Sequence, residues 1–197
     1  MNNKLKMKDF VQIALLTAVY LLLYGAAMLI ILPLGQLGHA VSPAVCGLLS
    51  GAVIVFMNRK IGKMWEYTIF TFLIMGVFAL MGGGYLPWII SSVAMAVIAD
   101  LIASRSNQAS VLRLGLASGL MHVGQAWGAI IPSTFFLDAY RSHWIERGMS
   151  PEAMDEQIRV TKGLMGLAST AFTFVLAFVG VLLGYLILKK HLEKRKA

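Results

Sequence analysis

The stretch of sequence that decides the fold runs from Phe10 to Asn58 and reads FVQIALLTAVYLLLYGAAMLIILPLGQLGHAVSPAVCGLLSGAVIVFMN. It contains no Asp, Glu, Lys or Arg. Because a charged side chain is costly in hydrocarbon, long charge-free stretches indicate candidate membrane spans. This one is long enough for two helices of about 20 residues each, and the segment 33–39, PLGQLGH, supplies helix breakers between them. The stretch therefore predicts two consecutive membrane helices.

The rest of the chain continues the same pattern outward from this pair. Charge-free stretches cover 67–99, which GGGYLP at 82–87 divides, then 114–137 and 163–188. We therefore predict an all-α integral membrane protein that forms one domain over 1–197, with six transmembrane helices and a long outer loop at 139–162. The first apolar segment is too long for the core of a signal peptide, so it is expected to be retained as a helix. The predicted spans are 10–32, 40–57, 67–81, 86–104, 112–137 and 163–188.

The composition excludes other classes of protein. Of the 197 residues, 58% are apolar and 13% are charged, with a mean hydropathy of +0.76. A soluble domain carries about 25% charged residues, and a disordered chain has low hydrophobicity. Cys46 is the single cysteine, so an intrachain disulfide framework is excluded as well.

The net charge of +8 sets the predicted orientation. Six spans place both termini on one side of the membrane, and cytoplasmic segments carry the excess of Lys and Arg. With both termini in the cytoplasm, 13 of the 17 basic residues lie inside and four lie outside. This pattern predicts a multi-pass membrane protein with a basic cytoplasmic side, surrounded by lipid and with no nucleic-acid partner. The four outer residues are Arg141, Arg147, Arg159 and Lys162.

Few polar residues fall within the predicted spans. His122 lies roughly 16 Å deep at 1.5 Å per residue, and Gln125 follows one helical turn later on the same face. An ionisable residue at that depth indicates a functional site by default; a neutral histidine in an interhelical hydrogen bond is an equally good interpretation. Asp100, near the inner end of its span, is expected to pair at the interface with Arg105 or another basic group.

Motifs for catalysis and metal binding are missing from the sequence. It has no P-loop, no His-Glu-x-x-His and no paired carboxylates within the spans. Ser118 and His122 have the spacing of neighbours on one helix, but a regular helix offers no oxyanion-forming loop. The four histidines are scattered without ligand spacing. We therefore predict no enzyme activity, no catalytic residue, no cofactor and no metal.

The outer segments carry two ambiguous signals. Ser150-Pro151-Glu152 has the form of a helix start, which predicts a short amphipathic helix over 151–162 that serves as a connector or as a lid over an outward-facing cavity. Tyr85 and Trp88 follow a triple glycine, and they fit either an interfacial aromatic belt or the lining of a substrate cavity.

Pairs of small residues at a spacing of four recur along the chain. Such pairs allow helix backbones to approach closely, and their default role is packing within the molecule. Ala14 and Ala18 in the first helix also suit docking against another membrane subunit. The other pairs are Gly47/Gly51, Gly115/Gly119, Gly124/Gly128 and Gly180/Gly184.

Two motifs resemble those of a known family. One is Ala14-Leu15-Leu16-Thr17-Ala18, and the other is the basic tail Leu188-Lys189-Lys190-His191-Leu192-Glu193-Lys194, in which Leu192 stands where an aromatic residue is expected. With the length, six spans and inner termini, they make the chain similar to the substrate-binding S components of energy-coupling factor (ECF) transporters. It is most similar to the Trep-Strep group of small, strongly hydrophobic bacterial proteins, which implies that it lies in a bacterial plasma membrane.

The resemblance implies a function and a set of partners. An S component captures a small nutrient from outside and docks, here through Ala14 and Ala18, on a transmembrane coupling subunit that works with two ATPase subunits. The substrate site is then expected near the outer face, although no motif singles out its residues. The matching positions are His39, Tyr85, Trp88, His122, Gln125, Asp138 and Tyr140.

Two other functions remain open from the sequence. A stand-alone secondary transporter or channel would need a polar set for ion coupling or a pore, and one His with one Gln is little for that purpose. A membrane assembly or regulatory protein would bind no small molecule.

Overall fold

The computed structural model describes residues 4–104 and 108–193, and all the regular structure in these ranges is helical. A 3₁₀ turn at Leu32–Leu34 joins the first two helices, and a π-helical segment, Ala79–Gly83, extends the third. The helices are α1 (Met7–Ile31), α2 (Gly35–Lys60), α3 (Glu66–Phe78), α4 (Leu86–Ala103), α5 (Val111–Phe135), α6 (Leu137–Ile145), α7 (Pro151–Thr161) and α8 (Gly163–Glu193).

Five segments of the described chain are long and apolar enough to cross a membrane, so the prediction of a helical integral membrane protein is confirmed at this level. The first of them, Met7–Lys60, has 54 residues and contains both α1 and α2. Gly35, at a φ of +56°, lies at the junction where the chain reverses. Six spans and inner termini remain predictions. The five segments are Met7–Lys60, Glu66–Gly83, Leu86–Ala103, Val111–Phe135 and Gly163–Lys189.

Two predicted boundaries differ from the structure in an informative way. The second predicted span begins at 40, whereas α2 begins at Gly35, because the breakers of 33–39 occupy only a 3₁₀ turn and the first turn of α2. The predicted outer segment 139–162 is mostly helical, since α6 and α7 fill most of it, and the sequence predicted only the second of these helices. The predicted helix start within it is confirmed: the Ser150 hydroxyl accepts a hydrogen bond from the Ala153 amide at 3.2 Å.

Glycines hold α2 and α8 in close contact, with the two helices parallel. A Cβ atom on Gly51 would collide with the carbonyl group of Gly180, and one on Gly184 would collide with the backbone of Ala52. Gly115 and Gly119 of α5 make room in the same way for the rings of Phe178 and Phe174. The prediction that these glycine pairs serve packing within the molecule is confirmed.

Buried carboxylates mark one end of the bundle, which we call the polar end and define by Asp9, Glu66 and Asp100. Asp9 forms an ion pair with Lys63 at 2.6 Å. Glu66 accepts hydrogen bonds from the Gly62 amide at 2.9 Å and from the Asn58 side chain at 3.3 Å. These contacts tie α1 and α2 to the loop before α3.

The predicted pairing of Asp100 at the interface is not what the structure shows. Its carboxylate is fully buried and accepts hydrogen bonds from the Tyr67 and Thr68 amides at 3.1 and 2.8 Å. It also accepts from the hydroxyls of Thr68, at 2.6 Å, and Ser104. Asp100 therefore caps the first turn of α3, which has no cap of its own. Arg105 lies outside the described residues, as do Lys194, Arg195 and Lys196 of the basic tail.

Candidate functional site

A cavity of about 280 Å³ lies at the end of the bundle opposite the polar end. It is enclosed by the C-terminal half of α5, the N-terminal parts of α2 and α4, and the short helices α6 and α7. Its volume is near the lower limit of the roughly 300–1,000 Å³ typical of small-molecule sites. Six aromatic side chains contribute to its walls: Tyr24, Phe78, Tyr85, Trp88, Tyr140 and Trp144.

The lining of the cavity carries no Asp, Glu, Lys or Arg side chain among the residues that the structure describes. Its polar groups are hydroxyls, amides, indole nitrogens and one imidazole, that of His39. An isolated buried charge is costly without a partner. The cavity therefore suits an uncharged or weakly polar molecule better than a strongly charged one.

The glycine-rich turn before α4 places two of these aromatic residues. Gly82, at a φ of +88°, ends the extension of α3, and Tyr85 precedes the first turn of α4. Trp88 then lies against Gly128 of α5, where any Cβ atom would collide with the indole ring. The absence of a side chain at Gly128 is therefore what admits the indole at this wall.

Tyr85 also belongs to an aromatic cluster with α6. Its ring centroid lies 5.6 Å from that of Tyr140, 4.5 Å from that of His143 and 5.9 Å from that of Trp144. Burial raises the pKa of Tyr85, and burial together with the nearby Tyr85 hydroxyl raises the pKa of Tyr140. Burial lowers the pKa of His143. All three shifts favour the uncharged forms, which keeps this side of the cavity neutral.

Helix α7 forms a further wall because one of its faces is apolar and buried. Met154, Gln157 and Thr161 follow the i, i+3, i+7 spacing of one helical face; all three are buried, and Gln157 and Thr161 line the cavity. On the outer side, Asp155 forms an exposed ion pair with Arg141 of α6. The amphipathic character that was predicted for this helix therefore explains why one of its faces lies over the cavity.

A chain of hydrogen bonds leads from the cavity into the middle of the bundle. The Gln125 amide donates to the Tyr20 hydroxyl at 2.9 Å, and that hydroxyl lies 3.4 Å from His122 Nε2. His122 Nδ1 lies 2.8 Å from the Ser118 carbonyl oxygen, and Ser50 contacts Nε2 at 3.4 Å. Because a carbonyl only accepts, Nδ1 carries the proton and Nε2 accepts. The geometry fits a neutral histidine in interhelical hydrogen bonds.

The structure brings most of the predicted site residues together. His39, Tyr85, Trp88, Gln125 and Tyr140 all line the cavity. Their role in binding stays a prediction, and the structure shows only that they line the same cavity.

Two predicted site residues do not line the cavity. His122 is fully buried one turn below Gln125 and meets the cavity only through Tyr20 and Gln125. Asp138 is exposed in the first turn of α6, so its carboxylate is outside the cavity. The position of Asp138 shortly after the end of α5 therefore did not show which way its side chain would point.

The sequence did not single out several lining residues. Tyr24 and Ser42 are interior positions of long helices, and nothing in their local pattern separates them from packing residues. Gln157 had a detectable signal, since it is a polar residue on the apolar face of an amphipathic helix. Trp144 is one of several aromatic residues near the outer ends of helices, for which an interfacial belt is the favoured interpretation from sequence.

The geometry around Ser118 differs from that of an activated nucleophile. The ring of His122 contacts the Ser118 carbonyl oxygen, and the Ser118 hydroxyl has no hydrogen-bond partner within the described chain. No three His, Cys, Asp or Glu side chains gather into a metal-binding group in 4–104 and 108–193. The absence of enzyme activity stays a prediction.

The predicted docking residues lie on the surface. Ala14 and Ala18 are exposed on α1, next to the exposed apolar side chains of Leu15 and Val19. Unlike the glycines of α2 and α8, they are not used for packing within the molecule. Their role in docking is not tested by this arrangement.

These features define a class: a small multi-pass helical membrane protein with an uncharged, aromatic cavity at one end. Within that class, a family described as hypothetical bacterial integral membrane proteins, Trep_Strep, matches residues 7–194. The chain belongs to this family, so the predicted membership of the Trep-Strep group is confirmed. No curated protein and no solved structure matches the chain significantly.

Proposed function

We propose that this protein is the substrate-binding S component of an ECF-type importer. In this proposal it captures a small nutrient outside a bacterial plasma membrane, and a transmembrane coupling subunit with two ATPase subunits drives uptake. The six spans and cytoplasmic termini predicted from the basic residues belong to the same proposal. The cavity then faces outward, because it lies at the opposite end from Met7 and the end of α8.

The observation that carries the proposal is the aromatic cavity itself. An assembly protein with no ligand has no need of a space of about 280 Å³ lined by six aromatic rings, since voids reduce the stability of a packed bundle. A binding protein needs such a space, and burial of apolar ligand surface against it contributes roughly 25 cal/mol per Å².

The lack of an ATP-binding motif supports the proposed division of labour. A chain without a P-loop needs partner subunits for ATP-driven transport. The exposed pair Ala14 and Ala18 offers a small-residue contact site on α1 for such a partner.

The test is assembly. The tagged full-length protein, purified in mild detergent from its own host, is expected to retain a coupling subunit and two ATPases. Ala14→Trp/Ala18→Trp should abolish this retention, because two indoles would keep the helices apart. The matched control is Ala94→Trp/Ala171→Trp, which places the same bulk on exposed alanines of α4 and α8.

Each result has a clear meaning. Retention of the ATPases by the α1 variant, with uptake intact, would refute docking through this face. If purified protein alone in vesicles takes up a solute without ATP, the secondary-transporter function replaces the proposal. If the protein binds no solute and no ATPase, the assembly-protein function replaces the proposal.

A further inference from the structure

Gln157 brings an unused amide group to the cavity. The side chain lines the cavity and the residue is only 2% exposed, yet neither Oε1 nor Nε2 has a hydrogen-bond partner in the described chain. The amide is close to the Tyr140 hydroxyl without completing a hydrogen bond. Because the great majority of buried polar side-chain atoms are hydrogen-bonded, an unpartnered pair of this kind points to a partner from outside the chain.

Gln125, the other glutamine of the cavity, is in the opposite state. Its Nε2 donates to the Tyr20 hydroxyl at 2.9 Å, and its Oε1 accepts from the same hydroxyl at 3.3 Å. The Gln125 amide is therefore already used to join α1 to α5. Gln157 is the one whose donor and acceptor remain available.

A third unused polar atom belongs to the same cavity. The indole Nε1 of Trp144 is buried and has no hydrogen-bond partner within the described residues. The residues that line the cavity thus carry two unused N–H donor groups, from Gln157 and Trp144, and one unused amide acceptor. These atoms are fully buried in this structure, so a ligand pairs with them when the two side chains turn toward the cavity. A molecule that satisfies them needs more than one acceptor and at least one donor.

The aromatic walls leave two classes of molecule to consider. Aromatic rings bind cations over their faces, and they also stack on planar heterocycles. A quaternary ammonium ion would leave the Gln157 amide and the Trp144 indole unpartnered. Among the described residues, the cavity lining has no carboxylate to balance the charge of such an ion. The observations therefore favour the planar, uncharged class.

We propose that the cavity binds an uncharged planar heterocycle with an N–H group beside a carbonyl, and that Gln157 pairs with this amide edge. The amide of Gln157 donates to the ligand carbonyl and accepts from the ligand N–H, while the aromatic rings cover the faces of the heterocycle. This inference rests on the proposed function, since it names the substrate class of the same site.

The test uses matched pairs of probes on the full-length protein in lipid nanodiscs. The first pair is 2-quinolone and quinoline, which share a shape and differ in the amide edge. The second is nicotinamide and nicotinate, which differ in charge. Choline is the cationic probe. Binding is read from the change in tryptophan fluorescence, to which Trp88 and Trp144 of the cavity contribute, and from the thermal shift.

We expect 2-quinolone and nicotinamide to bind at least about tenfold more tightly than quinoline and nicotinate, because a mismatched probe leaves the buried amide unpaired. In the Gln157→Leu variant, the two probes of each pair should bind about equally tightly. The same substitution replaces an unpartnered amide by an apolar side chain of similar size, so the melting temperature without probe should stay level or rise. Gln12→Leu, on α1 away from the cavity, should keep the preference.

Three results would overturn the inference: equal binding within both pairs, a preference that survives Gln157→Leu, or choline binding without 2-quinolone binding. Absence of any probe binding in the folded wild-type protein would overturn it too. Gln157→Asn, which retains the amide on a shorter side chain, covers the case in which Gln157→Leu fails to fold: it should weaken 2-quinolone binding but keep part of the preference.

Failure here differs from failure of the proposed function. If the coupling subunit and ATPases co-purify while the probe pairs show no preference, only the substrate class is wrong. If the probe pairs show the preference and no ATPase co-purifies, the binding site is supported and the S-component assignment is wrong.

Discussion

The two ends of the bundle treat buried polar groups in opposite ways. At the polar end, the carboxylate of Asp100 accepts hydrogen bonds from two backbone amides and two hydroxyls. At the cavity end, Gln157 is buried to a similar degree, and its amide has no hydrogen-bond partner within the described chain. Both residues lie on helices that pack against α5 or its neighbours. The degree of burial alone therefore does not distinguish the role of Asp100 from that of Gln157.

The difference shows which buried polar groups hold the fold and which are available for binding. A fully partnered carboxylate fixes the start of α3 against α4, and its removal leaves several donors without a partner. An unpartnered amide contributes nothing to the folded state and carries a desolvation cost. Substitutions at the polar end should therefore change stability more than binding. Substitutions at the cavity end should change binding more than stability.

The largest effect is expected at the polar end. Asp100→Ala removes the acceptor of the Tyr67 and Thr68 amides, and we expect a loss of about 2–3 kcal/mol of stability. The measurement is the thermal melting of the purified protein in detergent. Glu152→Ala is the matched control, because Glu152 is an exposed acid in the first turn of α7. An Asp100→Ala protein as stable as the control would contradict the capping role.

Much of this comparison could be predicted from the sequence, because the features that a membrane requires depend on residues that are close together in the chain. Charge-free length alone locates the apolar segments, and Ser150-Pro151 alone locates the start of α7. The glycine pairs of α2 and α8 follow from the need of helix backbones for close approach. Each of these features is decided by residues that are near one another in sequence.

The roles of Asp100, Asp138 and Gln157 could not be predicted, because each depends on what another helix brings. Asp100 was expected to pair with a basic residue, yet the start of α3, 32 or 33 residues away, supplies the amides that it caps. Asp138 is close in sequence to residues that line the cavity, but its side chain is exposed. Gln157 gains its significance only from the absence of a hydrogen-bond partner within the described chain.

The second effect is expected at the cavity wall. Trp88→Ala removes the indole that lies against Gly128 and Phe78, and 2-quinolone binding should weaken about tenfold, or about 1.4 kcal/mol. His122→Ala should weaken binding less, because His122 reaches the cavity only through Tyr20 and Gln125. Titration of each folded variant with 2-quinolone makes the measurement, and membrane insertion should survive in both.

The order of these two variants is informative. If His122→Ala weakens binding more than Trp88→Ala, the ligand lies deeper than the cavity and contacts the histidine itself. If neither variant changes the affinity, the site is elsewhere and the contrast between the two ends loses its functional meaning.

The smallest effect is expected at the outer surface of α7. The ion pair between Arg141 and Asp155 is exposed, and such pairs contribute about 0.2–1 kcal/mol. Arg141→Ala should therefore leave the melting temperature nearly unchanged. If α7 acts as a lid that opens for the ligand, the same loss should appear as a two- to fivefold faster release of 2-quinolone, since 0.4–1 kcal/mol corresponds to about that factor.

Stopped-flow fluorescence can separate a lid from a fixed wall. In a lid, the ion pair stabilises the closed state, so its loss changes release and high salt reproduces the effect in the wild-type protein. In a fixed wall, neither Arg141→Ala nor salt changes the release rate. Arg159→Ala is the control: its ion pair with Glu156 lies within α7, so its loss leaves the link between α6 and α7 intact. A faster release in Arg141→Ala alone would show that α7 moves when the cavity opens.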